Sequence, residues 1–157
     1  PGLDGKVKMS KSVGNAIYLC DDEKTIKEKV MSAYTDPDHI RVSDPGKIEG
    51  NIVFSYLDAF ASDDDFKKYL PEYKNLEELK EHYKKGGLGD VKVKLFLNNI
   101  LQELLAPIRE KRRYLEEHIN DIYELLFENS KKASAQAHII LDKMKDAMGL
   151  DYTKLLK

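Results

Sequence analysis

A single cysteine, Cys20, occurs in 157 residues, so the chain cannot close a disulfide on itself. That usage suits a reducing cytoplasm, and the thiol reads as a small half-buried apolar side chain. No stretch approaches the roughly 18 apolar residues that a membrane span requires. The opening Pro1-Gly2-Leu3-Asp4-Gly5 lacks the apolar core of a signal peptide. Glycine and proline number only nine and five, which excludes collagen-like and low-complexity chains. A strong excess of either charge is missing too, the formal net charge being −2. A protein that bound nucleic acid over its whole surface would be basic, so any such contact must come from local patches. Internal repeats are absent, and the first residue is not Met, which leads us to expect a piece of something longer.

What remains is 41% hydrophobic and 34% charged, the balance of a helix-rich soluble protein. The length supports one domain with a real core. Residues 1–15 read as a loop, with Gly2, Gly5 and Gly14 set around Lys6, Lys8 and Lys11. From Asp21 or Asp22 as N-cap, Ile26, Val30, Met31 and Tyr34 recur at helical spacing until Thr35-Asp36-Pro37. Residues 36–50 have loop composition. Short helices are expected over Asn51–Ala61, around Phe66 and Leu70 behind Asp63–Asp65, and over Leu76–Lys85 behind Asn75, ending at Gly86-Gly87. Asp90 opens a long helix whose stripe is Val93, Phe96, Leu97, Ile100, Leu101, Leu104 and Leu105, with Pro107 kinking or restarting it before about Tyr114. After a polar break at 117–120, Asp121 caps a last helix ending at Gly149, with a stripe that includes Ile122, Leu125, Leu126, Ile140, Leu141 and Met144. The expected fold is all-α, a helical bundle with a loop arm.

The sharpest chemical signal is Lys8-Met9-Ser10-Lys11-Ser12. Two ammonium groups three positions apart, in a loop flanked by glycines, can converge on one polyanion. The hydroxyls of Ser10 and Ser12 and nearby N–H groups add donors. The spacing is not that of a P-loop, and a solvated lysine-rich tail is the plainer alternative.

All five residues reproduce the KMSKS signature, and the chain resembles class I aminoacyl-tRNA synthetases. Its flanks (Pro1 to Gly5, Gly14-Asn15-Ala16-Ile17, Ala33 to Pro37, and Gly87-Leu88-Gly89-Asp90-Val91-Lys92) look like the bacterial tryptophanyl enzymes. Bacterial tyrosyl relatives usually continue into an S4-like tail, and nothing like it appears here. The resemblance implies that residues 1–20 are the KMSKS loop and the end of a Rossmann-type catalytic domain. Residues 21–157 would be the helical anticodon-binding domain. It implies that Lys8 and Lys11 are catalytic and contact the ATP phosphates, that Met9 lies against adenine, and that Ser10 and Ser12 hold the loop's shape. ATP with Mg²⁺, tryptophan and tRNA(Trp) are the implied ligands, with no metal held by this chain. The family enzyme is a homodimer; neither membrane nor DNA is an expected partner. No HIGH-type motif is present, so the tryptophan pocket belongs elsewhere and this piece alone should be inactive.

A second patch is Lys92, Lys94, Arg109, Lys111, Arg112 and Arg113. Recognition of an anticodon needs cations for phosphates and side chains that reach unstacked base edges. The resemblance implies the anticodon CCA, whose cytosines offer an amino donor for an acid such as Asp90 and an acceptor edge for Arg. Asp90, Lys92, Lys94, Arg109 and Arg113 are therefore the expected tRNA-binding set, against the alternative of a solvated helix face paired with Glu103 and Glu110. His39, His82, His118 and His138 have no metal-ligand spacing and read as surface or partly buried residues. Asp63-Asp64-Asp65 reads as a helix cap rather than a cation site. The competing classes are an autonomous helical RNA-binding module, a tyrosyl relative, and a plain helical interaction protein.

Overall fold

The computed structural model describes residues 1–150, so residues 151–157 of the expected helical domain lie outside the described residues. Six helices and no strand occur among those described: α1 Glu23–Ser32, α2 Ile52–Phe60, α3 Asp63–Tyr69, α4 Leu76–Lys85, α5 Asp90–Glu117 and α6 Ile119–Met148. The chain divides into two compact units, Pro1–Arg112 and a second from Arg113 onward.

Local chemistry sets the ends of these helices. Asp22 accepts from the Thr25 N–H at 2.6 Å, Asn51 from the Val53 N–H at 3.1 Å, and Asn75 from the Glu78 N–H at 3.0 Å. Each satisfies a donor that the first helical turn leaves free. Ser62, rather than Asp63, caps α3, its N–H and hydroxyl both donating to Asp65 at 2.7 and 2.6 Å. The acids of that run thus serve the helix start, where the macrodipole favours negative charge. α1 stops two residues before the expected Tyr34, where the Ala33 N–H turns back to the Val30 carbonyl. α5 continues through Pro107 without a break.

The first unit closes around Ile26 and Val30 of α1, Val53, Phe54 and Leu57 of α2, Phe66 of α3, Leu79 and Tyr83 of α4, and Val93, Phe96 and Leu97 of α5, all buried. Phe66 and Phe96 meet at 4.6 Å between ring centroids. Leu104, expected in the α5 stripe, stands about half exposed.

In the second unit, α6 ends as expected on Gly149, whose φ of 67° takes the left-handed turn that a side chain disfavours. Its start differs: the helix begins at Ile119 behind His118, and Asp121 lies in the first turn. Its apolar stripe differs more. No residue of α6 is buried, and Leu125, Leu126, Ile140 and Met144 are all more than half exposed. Periodicity carries no information about whether anything covers a face.

Candidate functional site

The loop of residues 1–17 is organised by one side chain that sequence reasoning treated only as part of a flank. Asn15 is buried. Its Oδ1 accepts from the Ser10 N–H at 2.8 Å, and its Nδ2 donates to Asp4 Oδ1 at 3.1 Å and to the Lys8 carbonyl at 3.4 Å. Its own carbonyl accepts from the Leu3 N–H at 2.8 Å. The Asn15 amide is also the leading reason that the Asp4 carboxyl lies below its ordinary pKa. Gly2 has to be glycine here, because a Cβ would stand 2.1 Å from Asn15 Nδ2 and 2.8 Å from the Val7 carbonyl oxygen. A lone asparagine in a Gly- and Lys-rich loop carries no periodicity, so nothing in the sequence singled it out.

Around that pin the motif side chains divide into two groups. Ser10 and Ser12 share a hydroxyl–hydroxyl hydrogen bond of 2.9 Å, which ties the middle of the motif to itself. Lys8 and Lys11 are exposed, and no ion pair among the described residues holds either ammonium. Met9 is exposed as well. The loop therefore has a fixed backbone and two uncommitted cations, which suits an electrostatic clamp on a phosphate chain.

The other expected residues are distributed differently. Asp90, at the start of α5, accepts from the Tyr83 hydroxyl at 2.6 Å and from Thr35 Oγ1 at 3.0 Å, with His39 Nδ1 at 3.2 Å. His39 is buried rather than surface or partly buried, and its Nε2 has no partner. Facing a carboxylate, Nδ1 is the assigned donor. Burial first, then the Asp90 carboxylate, pushes the Tyr83 hydroxyl far up from its ordinary pKa. Lys94 donates to the Met31 carbonyl at 3.0 Å, and burial lowers its ammonium pKa. Lys92 pairs with Glu72. Arg109 donates to Glu23 at 3.5 Å and to the Gln102 carbonyl at 3.3 Å. Arg113, in the second unit, is exposed. Asp90, Lys94 and Arg109 are thus engaged within the first unit, whereas Lys92 pairs at its surface.

Asp36 is a second polar centre that the sequence did not single out. Burial works against its charge. The N–H groups of Asp38 and Lys47, bonded at 3.0 and 2.8 Å, nonetheless hold its pKa below the ordinary value. Cys20 proves exposed rather than half-buried. Tyr56 and Tyr83 are core residues, while Tyr114 and Tyr123 are about half exposed. No described helix is long and apolar enough to cross a membrane.

Known proteins match this arrangement. The chain is 53% identical over 152 residues to a tryptophan–tRNA ligase of Clostridium longisporum, covering 97% of this chain and 42% of that protein. It is 53% identical over 154 residues to the ligase of Streptococcus agalactiae serotype V, covering 98% and 43%. The chain thus spans less than half the length of the curated relatives it matches. A crystal structure of tryptophanyl-tRNA synthetase from Campylobacter jejuni superimposes with a TM-score of 0.75 at 31% identity, over 95% of this chain and 44% of that one. A second structure of that enzyme, complexed with ADP and tryptophan, matches equally well. The family model for class I tRNA synthetases (W and Y) matches residues 1–106, two thirds of the sequence, and the chain belongs to that family.

Proposed function

We propose that the chain is the C-terminal part of a tryptophan–tRNA ligase, which activates tryptophan with ATP and transfers it to tRNA(Trp). Residues 1–20 are the end of the catalytic domain, and residues 21–157 form the anticodon-binding domain. Half-identity to such ligases over nearly the whole chain, with an intact Lys8–Ser12 signature, is the observation that carries this reading.

In this scheme the ammonium groups of Lys8 and Lys11 approach the ATP phosphates as the tryptophan carboxylate attacks the α-phosphorus and pyrophosphate leaves. Their positive charge offsets the negative charge that builds on the leaving group, an interaction stronger in the transition state than in the ground state. Met9 lies along the adenine, and Ser10 and Ser12 keep the loop in shape. Mg²⁺ arrives with the nucleotide. The exposed lysines, set either side of the pinned Ser10, support this arrangement. Asp90, Lys92, Lys94, Arg109 and Arg113 form or support the tRNA face, with Asp90 and Lys94 acting through the α5 framework they hold. The intact protein is a cytoplasmic homodimer, and residues 1–157 alone are inactive.

Tryptophan-dependent ATP–pyrophosphate exchange by the full-length protein tests the scheme. Lys11→Ala should slow exchange on the order of 100- to 1000-fold while leaving tryptophan binding near its original strength. Equal losses in both, or exchange catalysed by residues 1–157 by themselves, would count against it. Arg109→Glu with Arg113→Glu should weaken tRNA charging and spare exchange.

A further inference from the structure

α1 follows the KMSKS loop directly, and the long helix α5 grips it at both ends. Near the C-terminal end of α1, Lys94 Nζ donates to the Met31 carbonyl at 3.0 Å. That carbonyl is one of the last-turn acceptors that a helix cannot satisfy internally. In the first turn of α1, Gln102 Nε2 donates to the Glu23 carbonyl at 2.8 Å. A carbonyl can only accept, so the amide nitrogen is the atom assigned there. Arg109 backs this second contact, donating to the Gln102 carbonyl at 3.3 Å.

The two contacts have the same spacing. Lys94 and Gln102 lie eight positions apart on α5, and Met31 and Glu23 lie eight positions apart on α1 in the opposite sense. At 1.5 Å per residue both spans are about 12 Å. Two antiparallel helices are therefore held in one axial register, and sliding α1 along its axis breaks both bonds together. The buried Ile26 and Val30 cannot fix that register by themselves, because apolar burial is non-directional. Burial also works against the Lys94 charge. A methionine would fill the same space without that cost, so packing does not account for an ammonium here.

α1 in turn holds both ends of the loop arc. Just before its N-cap Asp22, the Asp21 carboxylate accepts from the Tyr18 N–H at 2.8 Å and pairs with Lys29 of the same helix. Just after its C-cap Ala33, the Tyr34 N–H donates to the Leu3 carbonyl at 2.8 Å. Leu3 and Tyr18 bracket the Lys8–Ser12 motif. An axial shift of α1 thus moves both attachments of the segment that carries Lys8 and Lys11.

Resting on the ligase reading above, we propose that Lys94 and Gln102 are positioning residues for the activation step. By fixing the register of α1 on α5, they set where Lys8 and Lys11 meet the ATP phosphates. Neither touches substrate. Their effect is exerted before any tRNA binds, which separates them from residues that contact RNA.

The test is tryptophan-dependent ATP–pyrophosphate exchange by the full-length protein without tRNA, at a temperature where circular dichroism shows each variant folded. Misplacing reacting groups by about 1 Å can cost on the order of 100-fold, so Lys94→Met should lower kcat by roughly 10- to 100-fold. Its KM for tryptophan should stay within about twofold of the parent's. Lys94→Arg, which keeps a cationic donor, should recover most of the loss. Gln102→Leu, which frees the other end of α1, should lower kcat in the same way, and it takes the place of Lys94→Met throughout if that variant does not fold. In a Lys11→Ala background the Lys94→Met penalty should shrink to a few-fold, because one of the two groups being positioned is gone. An equal penalty in both backgrounds would mark a general loss of structure and overturn the proposal. So would intact exchange in Lys94→Met with tRNA charging reduced, the mark of an RNA contact. A wild-type protein that fails to exchange sinks the ligase reading, whereas normal wild-type exchange with unmoved variants sinks the α1–α5 clasp alone.

Discussion

Asp90→Ala separates an acid that reads RNA from an acid that holds the fold together. The carboxylate accepts from the buried Tyr83 hydroxyl and faces the buried His39 ring. Its removal strands both donors, because the Asn51 amide, 3.3 Å away, donates to the Tyr83 oxygen and cannot accept from it. A buried polar group left unpaired costs about 1–3 kcal/mol, so two cost about 2–6 kcal/mol. The Asp90 side chain is 23% exposed, which lets water reach the gap and brings the expected loss to about 2–4 kcal/mol. With a urea slope of about 2 kcal/mol per molar, the middle of the range for a small protein, the unfolding midpoint should fall by roughly 1–2 M. Asp90→Asn keeps an acceptor in place and should lose about half as much. Unfolding followed by far-ultraviolet circular dichroism reads the effect. An Asp90→Ala protein as stable as the parent to within about 0.5 kcal/mol, yet defective in charging tRNA, would refute the structural role.

Three further outcomes follow from the geometry. Gly46→Ala should destabilise by about 1–3 kcal/mol in thermal unfolding, because its Cβ would lie 2.2 Å from Tyr83 Cε1, and that ring is fully buried. Asn15→Leu should release the backbone at Ser10 and weaken nucleotide binding by the full-length protein, read by calorimetry; an unchanged affinity would remove Asn15 from the account. Stability should also fall in acid through Asp36. Its native pKa lies below the ordinary carboxyl value, so the unfolded chain binds more protons in the window between the two. The stabilisation is therefore complete above the unfolded pKa, near 4, and drains away as pH falls through the native value. Asp36→Asn should flatten that part of the stability–pH curve, and a slope identical to the parent's would exclude the contribution.

The sequence made the helices of the first unit legible because their caps and stripes are local. Asn51, Asn75 and Asp22 sit where the first-turn donors need them, and Val93 through Leu105 repeat at the period of the helix. The KMSKS loop was legible by identity of residues. Asn15 and Asp36 were not, since each acts across gaps of chain that no pattern encodes. Asp90 shows a different limit. A helix-start acid beside basic residues resembles a ligand contact in one dimension, and only the approach of Thr35, His39 and Tyr83 reveals its intramolecular partners. The α6 stripe marks a third boundary, because an amphipathic pattern specifies a face and leaves its covering to tertiary structure.

In the proposed ligase, the pin at Asn15 also bears on the entropy of nucleotide capture. Each backbone residue confined on binding costs about 1–2 kcal/mol, and a wholly slack lysine loop would have to lose that freedom when a polyanion arrived. Tethers from Asn15 to Asp4, Lys8 and Ser10 restrict the arc beforehand, so the freedom left to surrender is mostly that of the two long side chains.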